Sequence, residues 1–238
     1  MKPAALAIDL QDLHYHYPDG TPALHGVSFS VPAGEKVCLA GPNGAGKSTL
    51  LLCLAGLLQA RGALLVDGNG GAHDGRQVDP SRVGLVFQNP DDQLFCPTIG
   101  EDVAFGPRNQ GRPESEVQQV VFASLAAVGL DGFAGRCAHH LSGGERKRAA
   151  IAATLACQPA ILAMDEPWAN LDGRACAAVT AILRDFQGTL LVASHNLARA
   201  AAVCTRLIVL DRGQVVADGP MAALRRERTL LEGHGLDP

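Results

Sequence analysis

The chain has 238 residues, of which 47% are hydrophobic and 18% charged, and its formal net charge is −4. This composition supports a packed domain and excludes a disordered chain, and the negative charge argues against nucleic acid as the main partner. The apolar runs, such as residues 50–58 and 149–157, have about half the length of a spanning helix, so we expect no membrane segment. Asp9 interrupts the N-terminal apolar run before an export signal could form.

The first third of the chain has the periodicity of strands. Alternating apolar residues predict strands at 6–17 and 24–31 with a turn at 17–20, and a short apolar strand follows at 36–40. A helix is expected after that strand and up to about residue 58. The stretch 67–75 is rich in Gly, Asn and Asp, which predicts a surface turn.

The remainder alternates between helices and strands. Helical periodicity covers 113–129, 143–157, 174–186 and 197–203, and strands are predicted at 161–164, 189–193 and 206–210. Such alternation is typical of an α/β fold with a mostly parallel sheet and helices on its faces. Residues 89–141 show no clear strand. We therefore expect a single domain, 1–238, with a core of residues 1–88 and 158–238 and an inserted helical lobe of residues 89–157.

Three residue types invite other functions. The seven cysteines are widely spaced and odd in number, which indicates buried apolar side chains rather than a disulfide framework or zinc site. The histidines at 14, 16, 73, 139 and 140 lack the spacing of metal ligands. The short basic runs at 146–148 and 225–228 are expected to be solvated helix faces.

A phosphate-binding loop is predicted directly after the strand at 36–40. The pattern G-x-x-x-x-G-K-[ST] is matched by Gly41, Pro42, Asn43, Gly44, Ala45, Gly46, Lys47 and Ser48. Its glycines let backbone N–H groups point at phosphate oxygens, and the following helix N-terminus adds partial positive charge. Lys47 is predicted to reach the β- and γ-phosphates, and Ser48 to ligate Mg²⁺. Thr49, the next residue, is assigned to the same nucleotide site.

Two acids, Asp165 and Glu166, follow the apolar strand at 161–164. A buried parallel strand that ends in carboxylates presents them at the sheet edge where nucleotides bind. Asp165 is predicted to hold Mg²⁺, and Glu166 to accept a proton from the attacking water.

The segment Leu141-Ser142-Gly143-Gly144-Glu145 has two interpretations. Ser142 and Glu145 have the spacing of a capping box, which would only start the following helix. Two glycines in that first turn weaken a helix by about 1 kcal/mol each, and they favour a backbone that a phosphate approaches. Because the chain already has one phosphate loop, a second phosphate-facing terminus suggests a partner's nucleotide.

These motifs, in this order, resemble the ATP-binding cassette ATPase family over nearly the whole chain. The loop resembles its Walker A motif, residues 161–166 its Walker B motif, and residues 141–145 its signature. Further matches are Gln88 (Q-loop), residues 169–172 (D-loop), His195 (switch histidine) and Tyr17 (the aromatic that stacks on adenine). The resemblance implies ATP and Mg²⁺ as ligands and the fold of a phosphate-loop ATPase with an N-terminal antiparallel β part.

The resemblance also implies the roles of individual residues. Glu166, His195, Lys47 and Gln88 would be catalytic. Ser48, Gln88 and Asp165 would ligate Mg²⁺, and Ser142, Gly143 and Gly144 would contact ATP. Tyr15 competes with Tyr17 for the adenine, and we favour Tyr17 because it is the last aromatic before the turn. Trp168 replaces a usual threonine and Asn196 a usual aspartate, and neither change removes a catalytic group.

The sequence after Gln88 resembles that of the ATPases of energy-coupling factor transporters. Residues 89–107 carry this resemblance, and Cys96-Pro97 and residues 106–111 look most like the cobalt and nickel uptake subgroup. Vitamin uptake and a cytosolic iron–sulfur assembly ATPase are the alternatives. A chromosome or repair ATPase is disfavoured because no heptad region is present.

The family also implies partners. We expect an ATP-sandwich dimer of two copies, peripheral to the cytoplasmic face of the membrane and bound to a transmembrane coupling protein and a substrate-binding protein. Asp91, Asp92 and exposed Leu94 and Phe95 are predicted to form a groove for a membrane-subunit helix with basic and apolar residues. The alternative is that Leu94 and Phe95 anchor the helical lobe to the core.

Overall fold

The computed structural model describes residues 5–66, 69–71 and 81–237. Contacts divide the chain into two compact units. The first unit comprises residues 1–85, 160–166 and 187–238, and the second comprises 86–159 and 167–186. No helix within the described ranges is long and apolar enough to cross a membrane.

The strands of the described residues are, in chain order, β1 (Leu6–His16), β2 (Pro22–Pro32), β3 (Lys36–Ala40), β4 (Arg61–Val66), β5 (Asn69–Gly71), β6 (Val83–Val86), β7 (Ile161–Asp165), β8 (Thr189–Ala193), β9 (Arg206–Asp211) and β10 (Gln214–Pro220). They form an antiparallel sheet of order β2-β1-β4-β5 and a six-stranded sheet of order β10-β9-β3-β8-β7-β6. In the larger sheet β3 is parallel to β8 and β9, and β7 is parallel to β8, whereas β10 is antiparallel to β9.

The helices are α1 (Lys47–Leu54), α2 (Ile99–Asn109), α3 (Glu114–Ala127), α4 (Gly143–Ala156), α5 (Gly173–Asp185), α6 (Leu197–Ala200), α7 (Met221–Leu224) and α8 (Arg228–Gly233). The first unit has one core, to which α1 and strands of both sheets contribute. In the second unit α2, α3 and α4 pack on one another, and α5 packs on α4. This mixed architecture, with a mostly parallel sheet and an antiparallel part, confirms the predicted fold class.

Strands buried on both faces were predicted best. β3 and β8 have the predicted bounds, and β7 extends one residue further, because parallel strands covered on both faces have uninterrupted apolar sequence. The predicted helix to residue 58 is too long: α1 ends at Leu54, since Gly56 adopts φ +73° and Leu57 is exposed.

Other elements were not foreseen. Asn69–Gly71, inside the predicted turn at 67–75, form β5, and the rest of that turn lies outside the described residues. The sequence interpretation also missed β4, β6, β10 and α2. Residues 167–186, expected in the core, cluster with the helical unit, because α5 packs against the start of α4.

Candidate functional site

The predicted phosphate loop connects β3 to α1 in the first unit. Lys47 is the first residue of α1, and its Nζ donates hydrogen bonds to Gly41 O (2.7 Å) and Pro42 O (3.0 Å). Gly41 adopts φ +154°, and a Cβ there would lie 2.0 Å from Leu210 O, so only glycine fits. The loop is thereby held against β9 while Asn43, Gly44 and Ser48 remain exposed.

The pKa of the Lys47 ammonium group lies below its usual value because burial outweighs the effect of the nearby carboxylates. Only 7% of the residue is exposed, and burial lowers the pKa of its ammonium group, whereas the carboxylates of Glu166 and Asp165 raise it. A buried cation beside two carboxylates at the end of β7 is a preorganised site for a multiply charged anion with a bound cation.

Glu166 follows β7 and is held on both sides of its carboxylate. Its Oε2 accepts a hydrogen bond from Ser194 Oγ (3.1 Å), and its Oε1 accepts one from the His195 N–H (3.0 Å). His195 Nδ1 lies 2.7 Å from the same Oε1. Glu166 adopts φ +41°, a left-handed conformation that is uncommon for non-glycine residues. The structure thus brings Glu166 and His195 together, as predicted from the sequence, and adds Ser194.

The oxygen groups expected to hold Mg²⁺ fit that ion chemically. The Ser48 hydroxyl is exposed, and Asp165 is half-buried at the carboxyl end of β7. Mg²⁺ prefers a few oxygen ligands and retains several waters, which suits one hydroxyl and one carboxylate at an open sheet edge. The loop, Lys47 and these oxygens therefore fit Mg-ATP.

Tyr17 and Tyr15, the two candidates for contact with adenine, differ in exposure. Tyr17 is 38% exposed, whereas Tyr15 is half-buried and packs against the core. The two rings contact edge to face at 5.2 Å, and the Tyr17 hydroxyl lies 2.8 Å from Thr49 Oγ1. Tyr17 thus presents an accessible ring anchored to the helix of the phosphate loop.

In the second unit, Ser142 is the N-cap of α4 and forms the capping box. Ser142 Oγ accepts from the Glu145 N–H (3.3 Å), and Glu145 Oε2 accepts from the Ser142 N–H (2.8 Å) and hydroxyl (2.7 Å). These bonds lower the pKa of the Glu145 carboxyl.

The two glycines of this turn differ in the space around the position that a Cβ would occupy. A Cβ on Gly144 would lie 2.5 Å from Ala175 Cβ, so this glycine is required by the packing of α5. Gly143 is exposed, and nothing lies near its missing Cβ. Packing against α5 by itself accounts for a glycine at 144, and the approach of a phosphate to Gly143 and Gly144 stays a prediction.

The prediction that residues 146–148 form a solvated face is wrong. Lys147 is 1% exposed and donates from Nζ to Phe87 O (3.0 Å) and Gln88 O (2.5 Å). Arg146 Nη1 donates to Leu141 O (2.7 Å), and Arg148 Nη1 donates to Val128 O (2.8 Å) and Gly129 O (2.9 Å). All three cations stabilise backbone carbonyls within their own unit.

Gln88 is exposed just after β6. Gln88, Gly143 and Asn170 line one cavity of about 260 Å³ in the second unit, so the predicted Q-loop, signature and D-loop motifs meet there. The structure describes Gln88 and Ser142 in the helical unit, and Lys47, Ser48, Asp165, Glu166 and His195 in the other.

The two departures from the family pattern have structural explanations. Trp168 is buried, and its Nε1 donates to Thr180 Oγ1 (3.1 Å), which ties the D-loop to α5. Asn196 caps α6, with Oδ1 accepting from the Arg199 N–H (3.0 Å), a role that aspartate performs equally well.

The segment after Gln88 differs from its prediction at one position. Leu94 was expected to be exposed, but it is buried, with 7% of its surface exposed. Phe95 is 67% exposed and contacts Phe105, itself 47% exposed, edge to face at 5.1 Å. Buried Asp102 accepts from the N–H groups of Phe95 (3.0 Å) and Cys96 (2.9 Å) and so fixes this turn.

Sequence reasoning missed Ser194, Lys147 and Asp102. Ser194 stands beside the switch histidine and could have been suspected from its position. Lys147 and Asp102 carry no sequence signal, because their partners are backbone groups. All seven cysteines are free, and the described residues contain no group of three His, Cys, Asp or Glu that could hold a metal ion.

The sequence and structure match proteins of one family. The ABC transporter family model matches residues 24–169. A putative ABC transporter ATP-binding protein from Gloeobacter violaceus is 49% identical over 96% of this chain and 95% of its own length. The energy-coupling factor transporter ATP-binding protein EcfA from Methanothermobacter thermautotrophicus is 46% identical over 94% of this chain and 74% of its own.

Solved structures agree. A cbiO1 protein from Clostridium perfringens, part of the ABC transporter complex cbiONQ, is 30% identical with a TM-score of 0.81, over 96% of this chain and 94% of its own. A dimeric ATP-binding cassette in a post-hydrolysis state bound to ADP and phosphate is 26% identical with a TM-score of 0.78, over 90% and 98%.

Proposed function

Because the chain belongs to the ABC transporter family and is its ATP-binding, Mg²⁺-dependent ATPase subunit, we propose that it powers an energy-coupling factor transporter for cobalt or nickel. The observation that carries the proposal is the segment after Gln88. Its sequence resembles this transporter class. In the structure it presents an exposed aromatic pair, and two exposed acids precede Phe95 by three and four residues in sequence.

The residues of the first unit are assigned as follows. Bound Mg-ATP supplies a γ-phosphoryl group that water attacks in line. Glu166 accepts a proton from that water, and its carboxylate is oriented by Ser194 and His195.

Binding of the nucleotide and its ion is assigned to other residues of the first unit. Lys47 exchanges its two hydrogen bonds to backbone carbonyls for bonds to phosphate oxygens, and Ser48 and Asp165 hold the Mg²⁺ ion. Tyr17 stacks on adenine, and the backbone from Gly41 to Thr49 surrounds the phosphates.

The second unit is assigned to the partner's nucleotide. Ser142, Gly143 and the N–H groups at the start of α4 would face ATP bound to a second copy of this chain, so that two copies enclose two nucleotides. Support comes from the exposure of Ser142 and Gly143 and from the dimeric structure that the chain resembles. Gln88 stays assigned to Mg²⁺ and the attacking water by its place in the motif order.

A membrane subunit is proposed to dock at the aromatic pair. Phe95 and Phe105 present exposed apolar rings on one unit, and Asp91 and Asp92 are exposed nearby in sequence. Asp91 already pairs with Arg146 (Nε–Oδ1, 3.0 Å), so Asp92 is the better candidate to meet a basic residue. Such a surface suits a helix that carries apolar and basic side chains, and docking of that helix would hold the chain at the cytoplasmic face of the membrane.

The transported ion is proposed from residues 96–97 and 106–111, because their sequence resembles the cobalt and nickel uptake subgroup. The ion itself would contact the membrane subunits, not this chain. A vitamin transporter is the second candidate, because two of the similar proteins are named energy-coupling factor ATPases without a metal in their names. The relatives named here give no support to iron–sulfur assembly.

Asp92→Lys tests the docking surface. The isolated variant should fold and bind ATP like the parent, because Asp92 is exposed, but it should lose membrane association and metal uptake. The readouts are copurification with membrane subunits and accumulation of ⁵⁷Co or ⁶³Ni in cells. Asp131→Lys, an exposed acid of the same unit, is the matched control and should behave like the parent.

Two outcomes separate the parts of the proposal. Full metal uptake by Asp92→Lys would contradict the docking surface. Normal assembly of the parent complex, with uptake of a vitamin but not of cobalt or nickel, would contradict only the metal assignment.

A further inference from the structure

Lys147 is a charged residue in an unusual place. It is 1% exposed, among the largest fully buried side chains of the chain, and lies on α4 near the signature. Burying an ammonium group is unfavourable unless hydrogen bonds replace its water. Here the Phe87 and Gln88 carbonyls, 60 and 59 residues away in sequence, accept from its Nζ.

A second side chain ties the same segment to α4. Gln93 Oε1 accepts from the Phe87 N–H (3.3 Å), and its Nε2 donates to Ala150 O (3.3 Å) and Thr154 Oγ1 (2.8 Å). The backbone of Phe87 is therefore bonded on both sides, by Lys147 at its carbonyl and by Gln93 at its amide. The segment 87–93 is thus hydrogen-bonded to α4 at two places along the helix, at Lys147 and at Ala150 and Thr154.

This arrangement connects two motifs that were assigned separately. Ser142 is the N-cap of α4, and Lys147 follows it by about one and a half turns. Lys147 therefore bonds the backbone of Gln88 to the helix that begins at the signature. A displacement of the Gln88 carbonyl must either break a charge-assisted bond or move α4, and charge-assisted bonds are the stronger class.

We propose that Lys147 is a positioning residue, whose hydrogen bond makes the backbone of Gln88 and the signature turn at Ser142 move together. Through this bond, the position of Gln88 at one nucleotide is transmitted to the signature turn that faces the partner's nucleotide. The inference rests on the proposed roles of Gln88 and Ser142, and it adds a residue that neither motif contains.

Hydrogen exchange in the nucleotide-free protein tests the bond directly. Lys147→Met keeps the length and apolar stem of the side chain but removes its donors. Peptides that cover residues 87–93 should then exchange at least about tenfold faster, because opening this segment no longer breaks the bonds to Lys147. Lys147→Gln retains amide donors and should lie between Lys147→Met and the parent, which provides a readout if Lys147→Met folds poorly.

Arg148→Met is the matched control. Arg148 is the next residue of α4 and also donates to two backbone carbonyls, but those belong to Val128 and Gly129 at the end of α3. This variant should accelerate exchange around residues 125–130 and leave residues 87–93 within about twofold of the parent.

A double-variant cycle tests the transmission. Gln88→Ala and Lys147→Met should each raise the Mg²⁺ concentration for half-maximal ATPase activity by about fivefold or more, and the double variant should be no worse than Gln88→Ala alone. Lys147→Met should also weaken ATP-driven dimerisation in gel filtration, whereas ATP binding by the monomer should be unchanged.

The outcomes are distinguishable. Unchanged exchange at 87–93 in folded Lys147→Met, or additive effects in the double variant, would overturn the proposal for Lys147. If Gln88→Ala leaves the Mg²⁺ dependence unchanged, the assigned function of Gln88 is wrong and so is a transmission through it.

Discussion

Lys47 and Lys147 are both buried lysines that donate to two backbone carbonyls, yet they serve different regions. The partners of Lys47 are Gly41 and Pro42, five to six residues away in its own loop. The partners of Lys147 are Phe87 and Gln88, in a segment about 60 residues away. The first lysine is proposed to exchange its bonds for phosphate oxygens, since Asn43, Gly44 and Ser48 of its loop are exposed. The second holds two chain segments together.

The difference is one of surroundings rather than of residue type. Near Lys47, Glu166 and Asp165 supply negative charge, and Ser48 and Gly44 are exposed to solvent. Near Lys147 the donors and acceptors are already paired within the unit. A buried lysine therefore indicates a ligand site only when its present partners can be replaced by that ligand.

The largest expected effect is a loss of ATP turnover when the carboxylate of Glu166, near Lys47, is replaced. Without that loss, the region around Lys47 would not be the catalytic one. Glu166→Gln keeps the size of the side chain but removes the proton acceptor, so turnover should fall by roughly 10²–10⁴ while ATP binding persists. Loss of turnover without loss of ATP should also trap the closed dimer. Single-turnover ATPase assays and gel filtration with ATP measure both. Turnover near that of the parent would remove Glu166 from its assigned role.

A second variant separates the two regions between two copies of the chain. Ser142→Arg should leave ATP binding by the monomer largely intact but abolish ATP-driven dimerisation, because a bulky cation then stands at the start of α4. Mixed with Lys47→Ala, it should form heterodimers with one intact composite site, detectable by differential tagging. If the mixture yields no ATP-dependent dimer, or if Ser142→Arg itself cannot bind ATP, the arrangement in trans is wrong.

The smallest expected effect is a change in ATP affinity, which distinguishes the roles of the two lysines. Lys47→Met should weaken ATP binding by about 10–100-fold, the loss expected for one or two charge-assisted bonds, with little change in hydrogen exchange outside the loop. Lys147→Met should show the opposite profile, with altered exchange and unchanged ATP binding by the monomer. Titration with a fluorescent ATP analogue measures the affinity, and equal losses in both variants would contradict the distinction.

The first unit could be predicted well because its signals are local. The phosphate loop, the strand that ends in Asp165 and Glu166, and the strand that precedes His195 each lie within a few consecutive residues. The residues of each segment therefore predict both its secondary structure and its chemical role. The bounds of β3 and β8 followed for the same reason.

The helical unit was predicted less well because its determinants are distant in sequence. The basic run at 146–148 is a surface pattern by composition, and only the tertiary position of backbone carbonyls at 87–88 and 128–129 makes it internal. Leu94 was misjudged because the composition of residues 91–95 does not show which of their side chains tertiary packing buries. The close packing of Gly144 against Ala175 on α5 was also not foreseen. Short-range periodicity contains none of these contacts.

The buried indole at Trp168 also makes the protein its own optical reporter. It is the only tryptophan in the chain, it stands two residues after Glu166, and it is hydrogen-bonded to Thr180. An indole shielded from water emits at shorter wavelength than an exposed one and is poorly accessible to acrylamide. Its emission therefore follows the packing of the D-loop on α5 without a label, and every variant above can be monitored through that one fluorophore.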